Sequence, residues 1–411
     1  LREEIIKQKI MYRHQKHFPH NQGLRAIINN FKHTELKGSL SVLYSNRIIQ
    51  QVAFSLIGIF FPIMLYRVLG FSFYKLCIYF LINYGVFFFI APLGAKLMSR
   101  VGMKKSMILS VVLGWMWFYF ARIFEMSGDI VLLVPVLFAA NWMRIFYWPP
   151  FHTDFAKFSN KKDRGKQLAL LVSIGSIISI FVPYISGQVI TNYGYDILFI
   201  IGIVLYIISV VPLLFLPKIK ETYSYGWWES IKKVFNKKHR KFLFSYGADG
   251  MQNLVGTMVW PIFIWELLNK DYAVVGIVSS LIVLVSILLR MLIGDFTDRI
   301  DKHKLLKWGA VLNSIGWVTK MFVGTGFQIF IASSYHNFAT VVMRTPFDSI
   351  MYDQAADSGH YVDEYSVLRE MALSVGRVIM ICLLVLSFFL TGSLVFSFLI
   401  AALAALIMNA I

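Results

Sequence analysis

Charge is scarce in this chain. Only 15% of its 411 residues are charged, whereas 57% are hydrophobic and 16% aromatic. A soluble globular chain carries about a quarter charged residues, so this deficit excludes an ordinary water-soluble domain. Cysteine is rarer still. Its two copies, Cys77 and Cys382, both sit in apolar runs, which excludes a disulfide framework and offers no thiol metal site. No strand-like alternation recurs, so a membrane β-barrel is excluded as well. No Walker motif, nucleophile elbow or Gly-rich phosphate loop is present. The chain is therefore expected to be neither an enzyme nor a nucleotide-driven pump, and to need no cofactor or metal.

What is present is a series of apolar runs of about 20 residues, the length that crosses roughly 30 Å of hydrocarbon as a helix. Twelve spans are expected, at 42–67, 73–98, 104–125, 130–156, 166–190, 196–216, 242–268, 272–296, 303–323, 326–352, 364–390 and 392–411. The fold expected is an all-α polytopic membrane protein. Acids are outnumbered 22 to 40 by Lys and Arg, for a formal charge of +18. That excess gathers in alternate loops, as in cytoplasmic loops, so it predicts both termini in the cytoplasm rather than a nucleic-acid partner. The opposite loops, near residues 69, 128, 193, 270, 325 and 391, are almost free of basic residues. The sequence begins at Leu1 without a cleavable signal peptide or an initiator Met, and is expected to be incomplete at that end.

Four regions follow: a basic amphipathic segment at 1–41 expected at the membrane surface, a bundle at 42–216, a central loop at 217–241 and a second bundle at 242–411. Within the loop, Trp227, Trp228, Ile231, Val234, Phe235 and Phe242 fall near helical spacing with lysines opposite. Two readings stand side by side, an interfacial helix and an ordinary basic loop. The two bundles echo each other. Pro62 and Pro261, Arg100 and Arg299, and Lys105 and Lys304 are each 199 positions apart, and "PPFHTDF" at 149–155 parallels "TPFDSIM" at 345–351. Such coincidences at nearly one offset indicate two related six-helix bundles.

The twelve spans, the 6+6 repeat, the basic central loop and "GDFTDRIDKHK" at 294–304 together resemble the major facilitator superfamily. That family carries a Gly-x-x-x-Asp-Arg-x-Gly-x-Lys/Arg signature after its second helix, often echoed after the eighth. Gly294, Asp298, Arg299, Lys302 and Lys304 fit the echo, with Asp301 where glycine is expected. In the first copy, "GAKLMSRVGMKK", Arg100, Gly102, Lys104 and Lys105 fit, while Ser99 replaces the aspartate. The resemblance implies a conformational latch at Asp298 and Arg299, with Arg100, Lys105, Gly294 and Lys304 in the same cytoplasmic gate. Arg369 or Glu370 at the start of the eleventh span are the expected partners. The alternative is that these charges only set topology.

Ionisable residues at membrane depth are functional candidates by default. Arg144 lies mid-span in "NWMRIFYWPPF"; the family often has an arginine here linked to proton coupling, and the prolines after it predict a kink. Arg344 could pair with Asp348 one turn on, and Arg377 with Glu370 two turns back. Asp249, Gln252, Asn253 and Gly256 form a polar stripe in span seven, mirrored in span one by Asn46, Arg47, Gln50 and Gln51. In the family these two helices line the central cavity, so both stripes are expected to face substrate, with helix packing as the alternative. The expected cavity comprises Arg47, Gln50, Gln51, Asn141, Arg144, Gln252, Asn253, His336, Arg344 and Arg377. Asp249 is the expected proton-coupling group, because low dielectric pushes a carboxyl pKa toward neutrality.

The excess of deep arginines favours an anionic or zwitterionic solute. The expectation is a monomeric, proton-coupled secondary transporter in the inner or plasma membrane, with a small-molecule substrate, H+ and the lipid bilayer as its partners. Two further readings stand beside it: an exporter or flippase of amphipathic molecules, suggested by "GWMWFYFARIF", and a transporter-like sensor or assembly subunit.

Overall fold

A computed structural model describes residues 38–158, 164–217, 223–237, 240–297, 301–357 and 362–410. Among the described residues there are helices and no strands. In chain order the first half contains α1 (Gly38–Ile57), α2 (Phe60–Val68), α3 (Phe73–Val101), α4 (Met103–Ser127), α5 (Leu133–Phe158), α6 (Arg164–Ile208) and α7 (Val210–Leu213). A short α8 (Trp227–Val234) follows in the central loop. The second half contains α9 (Arg240–Leu254), α10 (Trp260–Leu267), α11 (Tyr272–Thr297), α12 (Lys302–Thr319), α13 (Gly326–Asp357), α14 (Val362–Thr391) and α15 (Phe396–Ile407).

Six helices among the described residues are long and apolar enough to cross a membrane, or seven if the bent pair α1 and α2 counts as one span. The shortfall from the twelve expected has local causes. The two spans expected at 166–190 and 196–216 appear within α6, which is interrupted at Gly194, where φ is +79°. Only glycine adopts that angle without strain. Helices α12 and α13 are long but carry Lys302, His303 and Lys304, or His336, Asn337, Arg344 and Asp348. Helix α15 has only 12 residues. Large apolar side chains such as Ile78, Phe89, Phe138 and Phe181 are more than half exposed, a pattern suited to lipid rather than water.

The first helix of each half is broken at the same repeat position, and the cause is readable. Proline lacks an N–H and its ring crowds the carbonyl four residues earlier. Pro62 sets that defect at Gly58, where α1 and α2 bend by 41°. Pro261 sets it at Thr257, inside a π-helical segment, Val255–Val259, between α9 and α10. The proline pair expected to kink α5, Pro149 and Pro150, lies inside a continuous helix.

The repeated turn is also solved twice, differently. Gly102 joins α3 to α4 with φ +91°, an angle that favours glycine. Asp301, 199 positions later, keeps φ at −55° and caps α12 by accepting from the His303 and Lys304 N–H groups, each at 3.1 Å. Aspartate where the first copy of the turn has glycine is thus an N-cap.

The halves meet along two helix pairs, α3 with α14 and α6 with α11. In the second pair a Cβ on Gly276 would lie 2.5 Å from the Pro183 carbonyl oxygen, and one on Gly187 would collide with that of Tyr272. Glycine permits this close crossing, as small residues do between membrane helices. At the end bearing the loops poor in basic residues, aromatic rings join the halves. Phe71 stacks on Trp265 with centroids 6.4 Å apart, and Phe60 meets Tyr272 at 6.2 Å.

Helix α8 settles part of the question about the central loop. It spans Trp227–Val234, while Phe242 belongs to α9. Trp227 Nε1 donates to the Phe89 carbonyl at 2.9 Å, and the Ser224 N–H donates to Glu364 Oε1 at 3.0 Å. The segment is therefore fastened to α3 and α14, while Trp228 and Phe235 remain more than half exposed. Hydrogen bonds from Lys233 and from the Gly226 N–H hold the Glu229 carboxyl below its usual range. Most of the N-terminal segment expected at the membrane surface, residues 1–37, lies outside the described residues.

Candidate functional site

The polar stripe of α9 borders a cavity of about 350 Å³ shared with α11, α12 and α13. Asp249 is almost fully buried and forms an ion pair with Arg344 of α13. The sequence alternative, Arg344 with Asp348 along one helix, gives way to a partner 95 residues away. Gln252 accepts from Trp317 Nε1 at 2.9 Å and donates to the Met408 sulfur, so it packs helices together while lining the cavity. Asn253 accepts from Arg377 at 3.1 Å. His336 lies edge-on against Trp317, with ring centroids 4.3 Å apart. Cavity lining and helix packing, posed as alternatives from sequence, are carried by the same side chains.

A second cavity, of about 250 Å³, lies where α3, α5 and α14 converge. Arg144 of α5 and Glu370 of α14 form an ion pair across it at 3.1 Å, one partner from each half of the chain. The guanidinium of Arg144 also lies over Phe87 at 4.1 Å, and that of Arg377 over Tyr84 at 4.8 Å. Cation–π contact offsets part of the desolvation of a deep arginine, roughly 0.5–2 kcal/mol for each. Glu370 is the residue expected both as a gate partner and as an intrahelical partner of Arg377. It binds Arg144, because α5 faces α14 closely enough to offer a cation, while Arg377 turns to Asn253; the gate partners expected for Glu370, Asp298 and Arg299, lie outside the described residues.

The remaining expected residues are spread more widely. Arg47 lies over the Trp148 ring at 4.7 Å. Gln50 is buried, with no partner for its Nε2 among the described residues, and Gln51 packs on Gly175 of α6. Asn141 donates to Asn83 at 3.2 Å and to the Leu137 carbonyl at 2.8 Å, joining α5 to α3. In the expected gate, Arg100, Lys105 and Lys304 are exposed at helix ends, and Arg369 lies over Tyr246 at 5.7 Å. Asp298 and Arg299 lie outside the described residues, and Gly294 lies in the last turns of α11.

Sequence reasoning missed Lys320 and the two rings around it. Lys320 follows α12 and is 3% exposed, with Trp260 and Trp317 centroids 4.3 and 4.4 Å from its ammonium. It reads as an ordinary span-end lysine. The available signal was its position: it stands at an end where the neighbouring loops hold almost no basic residues, so topology does not call for it.

Comparison with known proteins bears on the whole arrangement. The chain is 24% identical over 259 residues to the uncharacterized protein YqgE of Bacillus subtilis (strain 168), an alignment covering 57% of this chain and 56% of that protein. The family model of the Major Facilitator Superfamily matches residues 43–247, from α1 into α9. With that match, its apolar membrane-length helices and its all-helical build, the chain is a multi-pass membrane protein that belongs to the Major Facilitator Superfamily.

Proposed function

We propose that the protein is a secondary active transporter of a small anionic or zwitterionic solute, working by alternating access. In this reading twelve spans form two six-helix bundles, 42–216 and 242–411, which rock as a monomer about a site near the bilayer midplane. The basic loops, the central loop at 217–241 and both termini face the cytoplasm, across a bacterial inner membrane or a plasma membrane. The observation that carries the reading is the ion pair between Arg144 and Glu370, which ties α5 to α14 across the two halves. A contact of that kind has to break when the halves separate, so it biases one state over another.

Asp249 supplies the coupling group. Its carboxylate holds Arg344 in the larger cavity. Protonation removes the charge that holds the guanidinium and makes Arg344 available to an anionic solute. Departure of the solute restores the pair and expels the proton. Flux into proteoliposomes, measured with and without a pH gradient, tests this. An imposed gradient drives accumulation of an organic acid by the wild type, while Asp249→Asn keeps exchange but loses accumulation. Gradient-driven accumulation of the same size in both proteins removes Asp249 from coupling, and absence of flux for every anion and zwitterion tested removes the transport reading.

A further inference from the structure

Lys320 has no part in the mechanism above. Its surroundings are those of a binding group rather than of a helix end. No carboxylate among the described residues lies within ion-pair distance of its ammonium, which lies over the faces of Trp260 and Trp317. Two ring faces offset only part of the desolvation of a buried cation. Lys320 also borders the larger cavity, where Asp249 and Arg344 neutralise each other and leave it as the uncompensated charge.

A second, independent set of observations lies in the same cavity. Ser279, Asn313 and Ser333 all line it and are more than nine-tenths buried. Each has a side-chain oxygen without a hydrogen-bond partner among the described residues: Ser279 Oγ, Asn313 Oδ1 and Ser333 Oγ. Asn313 Nδ2 donates to Thr340 Oγ1 at 2.8 Å, which fixes the amide so that its oxygen is the free atom. Buried polar atoms are ordinarily satisfied, so three orphans around one space call for a polar ligand. The amide oxygen can only accept. An anion lacking hydrogen-bond donors would neutralise Lys320 but leave Asn313 unsatisfied. The ligand therefore needs both a negative charge and hydrogen-bond donors, and hydroxyl groups, which donate and accept, also suit the two serines. At about 350 Å³ the cavity falls near the lower end of the range for small-molecule sites, about 300–1,000 Å³.

We propose that this cavity binds a small hydroxylated organic monoanion, with its carboxylate on Lys320 and its hydroxyls on Asn313, Ser279 and Ser333. This is the state in which Asp249 still holds Arg344; passage of the carboxylate from Lys320 to Arg344, as the transported solute, rests on the transport reading, and the binding itself does not. Isothermal titration and thermal shift on the purified full-length protein test it with three probes: gluconate, its neutral counterpart sorbitol, and hexanoate, which has the charge without the hydroxyls. Gluconate is expected to bind at least about tenfold more tightly than either. Lys320→Met should lose gluconate binding by at least about tenfold, and Ser333→Ala by a few-fold, with unchanged circular dichroism. Ser333→Ala keeps the test informative if the lysine variant does not fold. Equal responses to gluconate and sorbitol, no gluconate binding up to about 10 mM, or wild-type affinity in the folded lysine variant would each overturn the proposal. Gluconate binding without flux defeats only the transport reading; flux with Lys320→Met binding like wild type defeats only this site.

Discussion

Replacing Glu370 by glutamine removes the charge that joins the two halves at Arg144. Its size can be worked from the geometry. The Arg144 and Glu370 side chains are 24% and 32% exposed, and their charged atoms are 3.1 Å apart. The pair is in neither bulk water nor a dry interior; at an effective dielectric of about 20 the gross attraction between charges about 4 Å apart is roughly 4 kcal/mol. Desolvation and solvent screening take back much of that, leaving about 1.5–3 kcal/mol, the usual worth of a hydrogen bond to a charged group. If the pair exists in one conformation and not in its alternative, its loss moves the equilibrium roughly 10–150-fold. The pair lies with the second cavity, while the aromatic contacts of Phe60 and Phe71 hold the opposite end. Losing it should therefore open the side bearing the basic loops. A cysteine at Thr257, which lines the larger cavity, placed in a Cys77→Ser, Cys382→Ser background, reports this. Labelling by a membrane-impermeant maleimide from the basic side should accelerate at least about tenfold in Glu370→Gln. The charge-swapped protein Arg144→Glu, Glu370→Arg should return toward wild type. Unchanged labelling in the single variant, or a swap that rescues nothing, would refute the bridge as a conformational constraint.

Three further outcomes follow from the packing. Asp301→Ala removes the cap of α12 and should cost about 0.5–2 kcal/mol, read as a lower Tm, whereas Asp301→Gly should cost only a few tenths. The reverse change, Gly102→Asp, meets a backbone at φ +91° and should destabilise by more than about 1 kcal/mol in the same assay. Gly276→Val forces atoms into the Pro183 carbonyl and should cost roughly 1–3 kcal/mol; an unchanged Tm would show that α6 and α11 do not cross as closely as the structure has them.

Much of the architecture is written locally and so is legible in the chain. Apolar runs mark the membrane helices because a spanning segment must satisfy its own backbone in hydrocarbon. The offset of 199 identified Pro62 with Pro261 before either break was seen, because a proline acts on its own helix four residues back. Asp301 was visible as a departure from the family pattern, although its capping role needed backbone angles. Partners were not legible. Local spacing offered Asp348 to Arg344 and Glu370 to Arg377, each on one helix. The fold instead joins Arg344 to Asp249 and Arg144 to Glu370, across separations of 95 and 226 residues. Lys320 was passed over in part for the same reason: Trp317 stands three residues before it, but Trp260, the other ring that encloses it, comes from α10. Sequence alone determined the all-helical, membrane-spanning class and the repeat that pairs Pro62 with Pro261, because apolar run length and proline act within a few turns of helix. Only the tertiary structure decided which buried charges meet, because a charge in low dielectric takes the partner that packing brings within reach, and packing is set by the whole bundle.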